Sequence, residues 1–173
     1  SDVQLLSLLP QSLLYFRTLS IMVATAQPEY PPPLFSFRVQ LGDDFTAQLR
    51  LSAQCTLYEL AETVIKAVGF DFDHCFGFYN NLKDSYRSTE EYTLFADIGE
   101  EAKADDLGVE NTFIGEAFEP GRTLLMLFDY GDDWQFTVFC ESITPGKNQR
   151  KVKRVVSTAG TRPVQYPPYE EDC

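Results

Sequence analysis

The segment from Thr123 to Ile143, TLLMLFDYGDDWQFTVFCESI, restricts the fold more than any other part of the chain. Two apolar, β-rich runs flank Gly131-Asp132-Asp133, and the glycine gives the backbone the freedom a tight connection needs, so the spacing predicts a β-hairpin. Leu124, Met126 and Phe128 fall on one face of its first strand, and Leu125 and Leu127 on the other. A strand that is apolar on both faces must be covered on both, which places this hairpin in the middle of a sheet.

The other elements follow from period and punctuation. Phe35, Phe37, Val39 and Leu41 alternate with polar residues, Gly42-Asp43-Asp44 turns the chain, and Phe45, Ala47, Leu49 and Leu51 alternate again, the pattern of a half-buried hairpin. Thr56 with Glu59 forms a capping box, Leu57, Leu60, Ala61, Val64, Ile65 and Val68 recur at helical spacing, and Gly69 supplies the C-terminal cap. Cys75 to Tyr79 reads as a third strand, Thr93 to Ile98 as a short strand, Gly99 to Glu110 as an acidic surface excursion, and Thr112 to Phe118 as one helical turn. Val152 to Ser157 reads as an edge strand guarded by Lys151, Lys153 and Arg154. The expectation is an α+β fold with a β-grasp-like mixed sheet: a ββαβ start, a central β-hairpin, and one main helix lying across it.

Domain organisation divides at the proline run. Residues 1–33 form a leucine-rich segment ending in Pro31-Pro32-Pro33, a stiff extended spacer, and residues 34–173 form a single α+β domain. The leucine stretch imitates a signal peptide, but it opens on Ser1-Asp2 with no positive charge, Arg17 interrupts it, and no run reaches the roughly 18 apolar residues of a membrane span. The reading is a short helix after Pro10 that docks on the domain or on a second copy, giving a homo-oligomer. Met22 offers an alternative start, so residues 1–21 need not be native to the mature protein.

Charge narrows the function. A net charge of −12 repels phosphate backbones and disfavours nucleic acid. Between Asp84 and Asp133 fourteen acids face only Arg87, Lys103 and Arg122, an acidic lobe. The four cysteines are scattered without a CxxC pair, so they read as reduced thiols of a cytoplasmic protein, with Cys75 and Cys140 among core neighbours. No GxGxxG or Walker loop and no GxSxG elbow occurs, and no cofactor is expected.

Three motifs carry a resemblance. They are Gly69-Phe70-Asp71-Phe72-Asp73-His74 followed by Phe78, the turn Phe128-Asp129-Tyr130-Gly131-Asp132-Asp133-Trp134, and the tail GTRPVQYPPYEED from Gly160 to Asp172. Their ordered occurrence over about Leu34 to Asp172 resembles the plasmid pRi ORF-three-like family, named after the third open reading frame of a root-inducing plasmid and also met as passenger proteins of mobile elements. The resemblance implies a known fold type without a known activity. Phe70 stands where the family often has Trp, Phe76 where it often has a second His, and Tyr166-Pro167-Pro168-Tyr169 replaces a cysteine-bearing tail, so no metal role carries over.

The candidate residues are few. His74, the sole histidine, beside Asp73 suits a general base or a metal ligand, against the plainer role of bonding backbone at a turn. Asp129, Asp132 and Asp133, joined by His74, offer oxygen and nitrogen ligands to a hard cation; the plainer reading has Asp129 accepting the N–H groups of its own turn. Asp129, Tyr130, Asp132, Trp134 and Tyr166 form the expected binding set. The leading reading is a non-enzymatic module that binds a protein or peptide partner or a ligand. An accessory of plasmid or transposon DNA transactions, using Lys147, Arg150, Lys151, Lys153 and Arg154, is a second. A metal-assisted or acid/base hydrolase using His74 with Asp73, Asp129 and Asp132 is a third, and it requires those side chains to converge.

Overall fold

A computed structural model of the chain describes residues 30–100 and 107–167. The leucine-rich segment, with the oligomer reading placed on it, and Cys173 lie outside the described residues.

Alternation produces the strands where expected. β1 (Leu34–Leu41) and β2 (Phe45–Ser52) pair antiparallel, and Phe35, Phe37, Val39, Phe45, Ala47, Leu49 and Leu51 are buried on a common side. α1 (Leu57–Val68) closes that side with Leu57, Leu60, Val64, Ile65 and Val68. Its start is fixed by reciprocal bonds: the Glu59 amide donates to Thr56 Oγ1 at 3.4 Å, and the Thr56 amide donates to Glu59 Oε2 at 3.0 Å. Gly69 ends the helix in the left-handed region at φ 87°, where its own amide and that of Phe70 both reach the Ile65 carbonyl.

The remaining strands are β3 (Phe76–Tyr79), β4 (Glu91–Thr93), β5 (Leu107–Gly108), β6 (Thr123–Phe128), β7 (Trp134–Thr144) and β8 (Lys153–Gly160). They make one eight-stranded sheet in the order β5-β4-β3-β6-β7-β1-β2-β8. The fold is mixed α+β. β6 and β7 occupy the centre, and β6 is buried on both faces: Leu124, Met126 and Phe128 join the main core under α1, while Leu125 and Leu127 pack with Tyr79 and Tyr130 beneath the sheet.

Three expectations need correction. The ββα start is present, but the β-grasp-like arrangement is not what the pairing records. A β-grasp gives its first strand a parallel neighbour; here β1 is antiparallel to both β2 and β7, and the parallel pair, β4 with β5, lies at the far edge. The β6–β7 hairpin has entered the sheet between β1 and β3. Next, Thr93 to Ile98 is strand only through Thr93. Leu94–Ile98 is a helix, α2, because Thr93 Oγ1 accepts the Ala96 amide at 3.2 Å and Gly99 caps its end. Finally, the acidic excursion is not all surface. Val109 is wholly buried, and Asp97 Oδ2 accepts the amides of Val109 at 2.7 Å and Glu110 at 3.1 Å. The helical turn expected near Thr112 is α3 (Ile114–Ala117), and β8 is the edge strand. Cys55 and Cys140 are buried free thiols, and burial pushes Cys140 up to about 11, which keeps it an unreactive thiol.

Candidate functional site

Three segments distant in sequence meet at one end of the sheet. The loop from Gly69 to Cys75 leads from α1 into β3, the Asp129 to Asp133 turn joins β6 to β7, and the tail after β8 returns over both. The antiparallel pairing of β3 with β6 sets Phe76 against Phe128, which brings the residues just outside both strands together, and the Asp129 amide donates to the Cys75 carbonyl.

His74 stands between two carboxylates. Its Nδ1 lies 2.8 Å from Asp73 Oδ1, and its Nε2 lies 3.4 Å from Asp129 Oδ2. The hydrogen bond to Asp73, with the nearby charges of Asp129 and Asp132, raises the His74 pKa above its ordinary value. Asp73 is lowered in return, by His74 first and by Tyr166 second. With both ring nitrogens facing carboxylates, the doubly protonated imidazolium is the favoured form. Tyr166 donates its hydroxyl to Asp73 Oδ2 at 2.8 Å, and partial desolvation together with that bond pushes its phenol up to about 12.

Gln165, which the sequence reading did not single out, ties the tail down. Its Oε1 accepts the Asp71 amide at 2.7 Å, and its Nε2 donates to the Asp71 carbonyl at 3.1 Å and to Asp73 Oδ1 at 3.3 Å. The side chain is buried, so these bonds satisfy groups that water does not reach. Its signal was its place inside the tail motif, one residue before Tyr166.

The acidic turn divides by direction. Asp129, at φ 58°, points inward and accepts the amides of Gly131 at 3.0 Å and Asp132 at 3.3 Å through Oδ1. Asp132 is exposed, and Asp133 accepts from Gln135 Nε2 at 2.9 Å. The turn's carboxylates therefore do not converge. His74 meets Asp73 and Asp129 on opposite sides of its ring, and among the described residues no group of three or more His, Cys, Asp or Glu side chains is placed to hold a metal ion. Tyr130 lies elsewhere: its hydroxyl is bonded to that of Tyr79 at 2.6 Å and its ring packs on Phe95 of α2, so it fastens the second face of the sheet.

Trp134 links this cluster to a groove. Its ring meets Phe70 edge-on at 4.8 Å, and on its other flank it lines a cavity of about 420 Å³ together with Leu41, Gly42, Asp43, Asp44, Thr161 and Pro163. The tail supplies one wall of the groove through Thr161 and Pro163. Gly160 sits at φ 88° so close to the β1–β2 turn that a Cβ there would lie 1.7 Å from the Asp44 carbonyl oxygen, and that oxygen accepts the Thr161 amide. The basic run, by contrast, is broken up: Lys151 pairs with Glu59 and Lys153 with Glu62, both on α1.

The segments that build this end of the molecule are the three motifs on which the family resemblance rests. A family model described as plasmid pRiA4b ORF-3-like protein matches residues 35–171. The chain belongs to this family. The plasmid pRiA4b ORF-3-like family has no established function, so membership brings a fold and no reaction. Among curated proteins no sequence matches. The fold is similar to the crystal structure of a protein of unknown function from Methanosarcina mazei Go1, at a TM-score of 0.58 and 13% identity over 76% of this chain and 73% of that one. Among the described residues no helix is long and apolar enough to cross a membrane.

Proposed function

We propose that this member of the family is a non-enzymatic binding module that takes a cationic side chain of a peptide or protein partner in the Trp134 groove. The observation that carries the reading is the lining: an indole, the apolar Leu41 and Pro163, two carboxylates at Asp43 and Asp44, and no base. An aromatic face beside carboxylates is the chemistry that recognises a guanidinium or ammonium group. A volume near 420 Å³ falls within the usual range of about 300–1,000 Å³ for small-ligand clefts, enough for the end of an Arg or Lys side chain. The net charge of −12 draws a cationic partner toward the surface before contact.

Trp134 is the sole tryptophan, so its fluorescence reports the groove directly. Titration with a short Arg- and Lys-containing peptide is expected to give a saturable change that weakens with added salt and is lost when Asp43 and Asp44 are both changed to Asn. A flat titration, or one the double substitution leaves intact, defeats the reading.

A second reading, an acid/base hydrolase, is supported by the convergence of His74, Asp73 and Asp129. In that reading the His74 imidazolium acts first as a proton donor through Nε2, which lies 3.4 Å from Asp129 Oδ2, and once neutral it can serve as a base while Nδ1 stays bonded to Asp73. Asp132 contributes only its amide to the Asp129 carboxylate. An ester and phosphoester hydrolysis panel run with wild type and His74→Ala tests it: turnover that disappears in the variant favours the enzyme, and no turnover in either rejects it.

A further inference from the structure

Arg50 and Arg154 stand directly opposite one another across the β2–β8 ladder. Cross-strand partners share a side of the sheet, and theirs is the side away from α1, because Leu49, Leu51 and Val155 turn toward the core and Lys153 reaches Glu62 on the helix. The same register continues to Ser36 on β1 and Ser142 on β7. Arg154, Arg50, Ser36 and Ser142 thus form one row across four strands.

The two arginines are the unbalanced members of their surroundings. Arg38, one row along, is matched by Glu141 at 3.7 Å and by the Phe139 ring, and Lys151 and Lys153 are matched by α1 acids. Among the described residues neither Arg50 nor Arg154 is in an ion pair, and the Arg50 Nε is enclosed without a hydrogen-bond partner. Like charges directly opposite on neighbouring strands repel, and a half-buried guanidinium with an unmet N–H adds a further cost. An anion seated between the two guanidinium groups would relieve that repulsion.

We propose that this row is a phosphate site that takes a phosphate monoester or free phosphate. Two guanidinium forks offer paired N–H donors to a tetrahedral dianion, the two positive charges match its two negative ones, and the serine hydroxyls extend the donor row. The site lies at the opposite end of the β1–β2 hairpin from the Trp134 groove, so it stands independently of the reading given for that groove.

Thermal melts in inorganic phosphate, against sodium chloride of equal ionic strength, test it. Wild type is expected to show a saturable rise in Tm with phosphate beyond that in chloride. Arg154→Gln, at an exposed position of the edge strand, is expected to fold and to need at least tenfold more phosphate for the same rise, and Arg50→Gln is expected to behave alike. A short phosphoserine peptide identifies the source: half-saturation well below that of phosphate assigns the site to a modified protein, and equal half-saturation assigns it to free or small-molecule phosphate. No rise beyond chloride, or an undiminished rise in Arg154→Gln, overturns the proposal.

Discussion

His74 shows how one residue acquires a role from what surrounds it. Its raised pKa means that the imidazolium is stabilised by folding, so its contribution is complete below about pH 6.5 and is lost as the pH climbs through the raised value. The lowered Asp73 works the other way: its contribution is present above about pH 3.9 and fades as the pH falls. The clasp is therefore strongest between those limits. Urea midpoints of wild type and His74→Ala are expected to differ more at about pH 5.5 than at about pH 9. An equal difference at both would mean that the ring packs without its charge mattering. Trp134 is only half-buried, with its ring on Phe70 and its Nε1 enclosed without a partner. Trp134→Ala is expected to cost roughly 2–3 kcal/mol, below the usual range for a fully buried Trp, as read from denaturant melts.

Among the elements, the tail is fixed by its close backbone approach at Gly160 and by the side-chain bonds of Gln165 and Tyr166. Gly160 brings β8 against the Asp44 carbonyl, and beyond it Thr161, Gln165 and Tyr166 bridge the groove and the histidine cluster. Gly160→Ala imposes an unfavourable φ and a backbone clash, so a loss of at least about 2 kcal/mol is expected. Hydrogen exchange gives the sharper readout. The Thr161 and Asp71 amides, bonded to Asp44 and Gln165, should exchange faster in the variant, while those in the middle of α1 stay protected. Uniform loss of protection would show that the tail and the core unfold as one.

For the whole molecule the dominant fact is charge. The segment from Asp84 to Asp133 carries fourteen acids against three bases, and Arg122 is already paired with Glu90. Raising ionic strength from about 0.01 to about 0.1 M shortens the screening length from about 30 to about 10 Å, which relieves self-repulsion. If that relief is about 1 kcal/mol, Tm rises by about 2–4 °C for a chain of this size. A Tm that falls instead would give the greater weight to the surface pairs Lys151–Glu59 and Lys153–Glu62, which salt weakens.

What the sequence determined by itself is local. The two hairpins follow from period-two alternation, α1 from a capping box and a glycine cap, and the central place of β6 from leucines on both its faces, all signals carried within a few residues. The short pieces misled for the same reason: Thr93 to Ile98 has strand-like composition, and only its capping bond and Gly99 make most of it helical. The site was legible as residue types but not as a constellation. Strand order decided that β3 lies beside β6, which joined His74 to Asp129, and the return of β8 to β2 carried Tyr166 and Gln165 to Asp73 and set Arg154 against Arg50. Pairings between strands far apart in the chain depend on how complete faces fit together, a property of the packed sheet that no local pattern carries.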